Sequence, residues 1–302
     1  MNRSMKLTMV FTLIMSLLLV FVIPVSADEG INEKLGVPIV VYGGNLTDEQ
    51  KVETEKLLEI SDPEMVDSYT VTGEDLAKYI GGNAKSRMFS SAKITMEENG
   101  TGLNVSIITP ENITEVTSEM YMNALLTAGV ENATVIVASP VKVTGHSALT
   151  GIYKAYDAEG VELDKERMEL ANEELNVATD LVKDSGLTSE QVSELITQIK
   201  QAIAEQKPAS LEDIERIVQE QLDKLEITLS EADRQLLIDL FEKMRNLNID
   251  FNQVKNQLND IASKVKGQLE DILADEGFWD NVGNFFKQLF DAIGNFFSNL
   301  FK

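Results

Sequence analysis

The residue pattern changes once along this chain, near residues 157–160, and this change constrains the fold more than any other feature. Before it, short runs rich in β-branched and aromatic residues alternate with helical patterns, and after it only helical patterns remain. Side chains alternate faces along a strand but recur about every 3.6 residues along a helix. The sequence therefore predicts an α+β fold: an N-terminal mixed sheet-and-helix domain, an all-α helical bundle or hairpin region, and a C-terminal amphipathic helix.

The N-terminal half contains the strand signals. Asn99-Gly100 lies between the third and fourth predicted strands, and both residues tolerate positive φ, so these two strands are predicted to form a hairpin. Helices are predicted at 47–60, 73–80 and 117–128, with glycines ending the last two. The predicted strands span residues 37–42, 66–72, 91–97, 103–108 and 134–138.

The C-terminal half contains five amphipathic helical segments. Asp164, Ser210 and Ser230 each precede a helical pattern, and Thr188 with Gln191 forms a capping box before another. A final apolar stripe has spacings of four and three residues from position 254 to 272. Each stripe needs an apolar partner, so we expect these helices to pack as a bundle or as elongated hairpins.

The N-terminus has the pattern of a secretory signal peptide. Arg3 and Lys6 precede an apolar run at 7–23, and small residues lead up to Ala27, which is followed by Asp28. This pattern predicts export and cleavage after Ala27, and hence a location outside the cell or on the extracellular face of the envelope. The apolar run is almost long enough to span a bilayer, so an uncleaved anchor is the alternative.

The C-terminus contains a Phe-rich repeat, which we call the tail (residues 277–302). The segment 282–290 returns eleven positions later as 293–301, and this period is close to that of a straight helix. Twelve apolar residues fall within one arc of roughly 160° on a helix. These predicted contact residues are Phe278, Trp279, Val282, Phe285, Phe286, Leu289, Phe290, Ile293, Phe296, Phe297, Leu300 and Phe301.

Three kinds of surface could cover this apolar arc: the preceding helices, a membrane interface, or a protein partner such as a second copy. Seven of the 12 phenylalanines lie beyond Gly277, and the arc is wider than a coiled-coil seam, which favours a membrane surface or a partner. The charged residues of the tail balance to zero, so apolar burial rather than basic attraction must drive any attachment.

Charge and cysteine content exclude several function classes. Removing Arg3 and Lys6 with the signal segment leaves 24 basic against 50 acidic residues, a net charge of −26, which repels nucleic acid. The chain has no cysteine, so disulfides, thiolate catalysis and Cys-ligated metals are excluded. The sequence defines no cofactor and no metal site.

Candidate catalytic residues are few. His146 is the only histidine, and with Ser147 it lies in a segment that lacks the second glycine of a nucleophile elbow. Ser90 and Lys93 match the S-x-x-K spacing, but they lead into a predicted strand, where such positions point to opposite faces. We therefore assign no catalytic residue. The alternative hypothesis is an envelope-acting hydrolase or acyltransferase with an unrecognised serine site.

Acidic residues cluster where the pattern changes. Asp157, Glu159, Glu162 and Asp164 offer the oxygen ligands that Ca²⁺ prefers, but the EF-hand spacing is absent. In a chain this acidic, solvated loop carboxylates are the expected outcome. The predicted organisation is a signal peptide at 1–27, an α+β domain at 28–158, a helical domain at 159–276 and the tail at 277–302.

Several ordered segments resemble the YpuA-like secreted proteins of Gram-positive bacteria. These segments are 44–50, 112–130, 138–145 and 148–156, and His146 stands where that family is expected to have a small hydroxyl residue. The resemblance implies a cell-envelope protein with a domain of unknown function, and it transfers no activity or site. We therefore predict an exported binding or scaffold-like protein with a membrane-associated or self-associating C-terminal helix.

Overall fold

A computed structural model describes residues 36–274 of the chain, so the signal segment and the tail lie outside the described residues. The strands are β1 (Ile39–Gly43), β2 (Asp67–Val71), β3 (Ser91–Met96), β4 (Leu103–Ile107) and β5 (Ala133–Ala138). The helices are α1 (Asp48–Leu57), α2 (Gly73–Ile80), α3 (Ser118–Ala128), α4 (Ser147–Ala158), α5 (Lys165–Ser185), α6 (Ser189–Gln206), α7 (Leu211–Lys224), α8 (Glu231–Asn246) and α9 (Lys255–Ala274).

The five strands form one mixed sheet in the order β2-β1-β3-β5-β4. β1 pairs with β2, and β4 with β5, in parallel, whereas β3 is antiparallel to both of its neighbours. The predicted α+β class is confirmed, with helices following the sheet. None of the helices within residues 36–274 is long and apolar enough to cross a membrane.

The predicted hairpin between β3 and β4 is wrong. β5 lies between these strands, and Val135 pairs with Ile94 on one side and with Val105 on the other. The apolar strand β5 takes the inner position, whereas β4 has exposed polar residues and forms an edge. Gly100 does adopt positive φ, but its N–H and that of Gly102 donate to the side chain of Asn132, which joins the turn to β5.

The predicted helix starts and stops are largely confirmed. Thr188 and Gln191 form the capping box of α6, and Ser210 and Ser230 cap α7 and α8. Gly81 ends α2 in the left-handed conformation, as expected of a glycine stop. Helix α4 was not predicted as a helix.

The two faces of the sheet are covered differently. Ile39, Val41 and Ile94 lie on the face that packs against α3, α4 and the helices beyond them. Val40 and Tyr42 point to the opposite face, where they cluster with Leu58 after α1. The first cluster continues through α5 to α9, so the apolar core crosses residue 158 without interruption. The division into domains at 28–158 and 159–276 stays a prediction.

Gly145, in the turn before α4, provides a test of this packing. Its φ is +109°, and a Cβ at this position would lie 2.8 Å from Cγ2 of Ile113 and 3.0 Å from the hydroxyl of Tyr121. We expect Gly145→Ala to lower the free energy of unfolding by about 2–5 kcal/mol, through backbone strain and overpacking together.

Gly186 gives the matched control for this substitution. It also has positive φ, +74°, but an added Cβ would meet nothing within 4 Å. Gly186→Ala should therefore cost only about 1 kcal/mol. Urea denaturation of both variants measures the difference, and equal losses would contradict the packing around Gly145.

Candidate functional site

The predicted contact site, the twelve apolar residues from Phe278 to Phe301, lies outside the described residues, as does the signal segment. The candidate catalytic residues lie within them. Ser90 is fully buried just before β3, and its hydroxyl has no hydrogen-bond partner within residues 36–274. The Nζ atom of Lys93 donates to the carbonyl of Leu58 at 2.7 Å. The structure thus gives Ser90 and Lys93 different surroundings and forms no Ser-Lys hydrogen bond.

His146 lies in the turn before α4 and is half-buried. Its Nδ1 is 3.2 Å from the hydroxyl of Thr144, and its Nε2 is 3.4 Å from that of Thr179 on α5. Burial lowers the pKa of His146, while Glu115 and Asp180 oppose this effect and Lys183 adds to it. The imidazole therefore favours its neutral form, and its contact with Thr179 joins the turn before α4 to α5.

Two of the four acidic residues near the pattern change, Asp157 and Asp164, have structural partners. Asp157 accepts hydrogen bonds from Lys78 and from the hydroxyl of Tyr79, both at 2.7 Å. Asp164 caps α5 by accepting from the N–H of Arg167. In the part of the chain that the structure describes, no group of three or more His, Asp or Glu side chains is placed to hold a metal ion.

The described residues contain a buried ion pair between Glu174 on α5 and Lys200 on α6, and it is the centre of a polar site. Their side chains are 2% and 0% exposed, and Nζ of Lys200 lies 2.6 Å from Oε1 of Glu174. Lys200 also donates to the carbonyl of Asn123 at 2.7 Å and to the hydroxyl of Thr127 at 2.9 Å, both on α3. Each ammonium proton therefore has an acceptor.

The surrounding residues complete a network across α3, α5 and α6. Thr127 donates its hydroxyl proton to the second carboxylate oxygen of Glu174, and the amide nitrogen of Asn123 donates to Thr197 at 2.9 Å. Arg167 donates to the carbonyls of Leu126 and Thr127 near the C-terminus of α3. These bonds offset part of the cost of taking two charges out of water.

Two buried aromatic residues lie near this network. The ring of Phe251, in the turn before α9, lies with its centroid 5.5 Å from Nζ of Lys200 and is 2% exposed. On another side, Tyr153 of α4 is fully buried, and burial together with the charge of Glu174 raises the pKa of its phenol well above the ordinary value. Burial likewise lowers the pKa of Lys200, while Glu174 opposes this effect.

The sequence contains a signal for this network that the predictions above did not include. Lys200 follows Ile196 by four residues on the apolar stripe of α6, and Glu174 precedes Ala178 by four on that of α5. A charge inside an apolar stripe must find a buried partner, and each of these two helices has one such charge of opposite sign. The network holds three helices in one relative position, which is a structural role.

Replacing one member of the ion pair should cost far more than replacing both. Glu174→Met or Lys200→Met alone leaves an uncompensated buried charge, and we expect each to lower the free energy of unfolding by about 3–5 kcal/mol. The double variant Glu174→Met with Lys200→Met should recover most of that loss, because no buried charge remains.

The neighbouring residue supplies the control for this cycle. Glu173 also pairs with a lysine, Lys243, at 2.6 Å, but both side chains are substantially exposed. Glu173→Gln should change the free energy of unfolding by less than about 1 kcal/mol. Denaturant titration of the four variants measures these free energies of unfolding. If the loss in the double variant equals the sum of the two single losses, Glu174 and Lys200 do not form a coupled buried pair.

His146 predicts a pH dependence of stability. Because burial lowers the pKa of His146 in the folded chain, the unfolded chain binds a proton more readily. The free energy of unfolding should therefore fall as pH drops through about 6.5, and it should level off below the folded-state pKa. His146→Gln should reduce the slope of unfolding free energy against pH between 7.5 and 5.5. His146 is the only histidine, so unchanged slopes would exclude it as the cause.

Comparison with known proteins places the chain in a family. Residues 42–261 match the family described as "Protein of unknown function (DUF1002)". The chain is 36% identical over 207 residues to "Uncharacterized protein YpuA" of Bacillus subtilis (strain 168), covering 66% of this chain and 69% of that protein. No solved structure matches. The family match at residues 42–261 includes the whole Glu174–Lys200 network but not the tail. The chain belongs to the DUF1002 family of proteins of unknown function.

Proposed function

We propose that this protein is exported and acts in the cell envelope as a binding or scaffold-like protein, held at a membrane surface by its tail. The observation that carries this proposal is the eleven-residue Phe-rich repeat, which places twelve apolar residues on one arc. The N-terminal signal pattern supports export. The family described above is one of unknown function, so it adds no activity or partner.

The described structure supports this proposal through α9, the helix that precedes the tail. Leu258, Ile261 and Val265 are buried, and α9 packs chiefly against α6. Phe278, the first aromatic residue of the tail, is the fourth residue after Ala274, the last described residue of α9. A tail bound to a surface would thus hold the folded body close to that surface.

The energetics favour attachment by apolar burial. A large apolar side chain contributes about 1.5–3 kcal/mol when fully buried, so burying the whole twelve-residue arc contributes about 18–36 kcal/mol, which offsets much of the backbone entropy cost of about 1–2 kcal/mol per ordered residue. Asp280 and Asp291 balance Lys287 and Lys302, so the tail has no net charge. Binding should therefore depend little on salt, unlike attachment through a polybasic segment.

Vesicle binding tests this proposal in the mature chain, residues 28–302. Phe286→Glu with Phe297→Glu places two charges inside the apolar arc and should abolish co-sedimentation with phosphatidylcholine vesicles. The matched control, Gln288→Glu with Ser298→Glu, adds the same charge to the polar side and should keep binding within about threefold, because the apolar arc is intact.

Trp279 supplies a second readout because it is the only tryptophan of the chain. Its emission should shift to shorter wavelength when vesicles are added to the unsubstituted protein. Light scattering without lipid measures the molar mass and so tests the alternative partner, a second copy of the chain. A contrary outcome is that the unsubstituted chain fails to co-sediment with vesicles and instead forms oligomers that the Phe286→Glu, Phe297→Glu variant does not form. In that outcome the tail binds a second copy, and the membrane proposal is wrong.

A further inference from the structure

The interface between α3 and α6 contains a row of polar side chains, which we call the polar seam. Its members recur every four residues on each helix, so they lie on one face of α3 and on the facing side of α6. The seam runs inward to the buried Lys200. Helix interfaces in a protein core are normally apolar, so this row calls for an explanation. Its members are Glu119, Asn123 and Thr127 on α3 and Ser189, Ser193 and Thr197 on α6.

The inner end of the polar seam shows what the seam can bind. The ammonium group of Lys200 meets a carboxylate oxygen of Glu174 at 2.6 Å, the backbone carbonyl of Asn123 at 2.7 Å and the hydroxyl of Thr127 at 2.9 Å. A protonated amine has three N–H donors, and these three acceptors satisfy all of them. A carboxylate, a carbonyl and a hydroxyl together therefore form a complete site for an ammonium group.

The outer part of the polar seam contains the same three kinds of oxygen. Glu119 has a carboxylate, Asn123 a side-chain carbonyl and Ser193 a hydroxyl, and these residues are 7%, 2% and 1% exposed. Oδ1 of Asn123 and Oγ of Ser193 have no hydrogen-bond partner within residues 36–274. The amide nitrogen of Asn123 donates to Thr197, whose hydroxyl donates to the carbonyl of Ser193. These bonds place the Asn123 amide beside Ser193, between the two helices.

The carboxylate of Glu119 is buried without a charged partner. Within residues 36–274 it belongs to no ion pair. Its Oε1 accepts a hydrogen bond from the side-chain amide of Gln268 on α9 at 3.3 Å. Gln268 is itself exposed, so its side chain can turn toward water. The carboxylate is therefore already oriented toward an N–H donor, and a positively charged donor would compensate its charge.

A cleft of about 320 Å³ gives access to this part of the seam. Glu119, Ser189 and Gln268 are among its lining residues. Asn123 and Ser193 follow four residues later on α3 and α6, about 6 Å further along each helix toward Lys200. The described lining contains three glutamates and no lysine or arginine. A cleft of this volume fits a small ligand, and its charge favours a cation.

We propose that the outer part of the polar seam binds the primary ammonium group of a small ligand. Glu119 supplies the opposite charge, Asn123 and Ser193 supply the two neutral acceptors, and the ligand replaces the amide of Gln268 on Glu119. The acceptor set is that of Lys200, so it selects a group with three N–H donors rather than positive charge alone. This inference rests on described residues and is independent of export and of membrane binding by the tail.

A pair of matched ligands tests the proposal by calorimetric titration of the mature chain at pH 7.5. Pentylammonium has three N–H donors, whereas N,N,N-trimethylpentylammonium has the same charge and apolar chain but none. We expect pentylammonium to bind at least about tenfold more tightly, because it alone forms charge-assisted hydrogen bonds. Equal affinities, or no binding of pentylammonium at about 10 mM, would overturn the proposal.

A third ligand distinguishes the source of the ammonium group. Nα-acetyl-lysine amide presents the same group on a peptide-like backbone. If it binds as tightly as pentylammonium, the cleft accepts a lysine side chain of a peptide. If pentylammonium alone binds, the ligand is a free amine. Either result supports an ammonium site.

Substitutions locate the site. Glu119→Gln removes the charge and should weaken pentylammonium binding at least about tenfold. Ser193→Ala removes one acceptor and should weaken binding about threefold, and it should leave the free energy of unfolding unchanged because this hydroxyl has no partner within residues 36–274. The matched control, Glu190→Gln, removes the same charge from another glutamate of the cleft and should change the affinity less than about threefold.

Two results with these variants would contradict the site. Equal losses in Glu119→Gln and Glu190→Gln would show diffuse attraction of a cation to an acidic surface. Unchanged binding in both Glu119→Gln and Ser193→Ala would place the ammonium group elsewhere. Because Ser193→Ala removes only an unpartnered hydroxyl, this test remains decisive even if Glu119→Gln does not fold.

Discussion

The ion pair between Glu174 and Lys200 is the interaction on which the arrangement of the helices most depends. A buried lysine without acceptors is strongly unfavourable, so α6 can pack only where α5 supplies a carboxylate and α3 supplies a carbonyl and a hydroxyl. Apolar surfaces alone would tolerate several relative positions of these helices. The polar contacts select one, because sliding any helix by a turn would leave a buried charge unpaired.

This selection also explains why the two halves of the sequence share one apolar core. α3 is the helix that connects β4 to β5 in the sheet, whereas α5 and α6 belong to the purely helical half. Their meeting at Thr127, Glu174 and Lys200 fixes the helical half on the α/β half through directional bonds. α6 then carries α7 and α9 on its remaining surface. A disturbance at the ion pair therefore reaches α7 and α9, which pack on α6.

The sequence was informative wherever the cause of a structure was local. Thr188 with Gln191 marks a helix start because both groups lie within one turn, and Gly81 marks a helix end because it alone adopts the required backbone conformation cheaply. Pairing of β3 with β4 was predicted wrongly because the choice is not local. Strand periodicity gives two strands and a turn, but it does not show that a third strand, β5, bonds better to each.

The missed helix α4 has a related cause. Gly145 lies just before this helix and Gly151 within it, and both weaken its helical pattern. A Cβ at Gly151 would meet Val41 at 3.5 Å, an ordinary contact, so packing on β1 does not itself require the glycine. The Glu174–Lys200 pair was within reach of sequence reasoning, since each charge interrupts an apolar stripe. The partner on α3 was not, because the carbonyl of Asn123 is a backbone group that every residue has.

Phe251 connects the ion pair to α9, the helix whose Gln257 accepts a hydrogen bond from the N–H of Leu103 on β4. Its ring faces the ammonium of Lys200, and three residues later Val254 begins the stripe that holds α9 on α6. When α9 is in place, Phe251 is held over Lys200 and keeps water from the ion pair. If α9 moved away, this shield would be lost and a buried charge would meet water. The packing of α9 and the dryness of the ion pair are therefore one cooperative property.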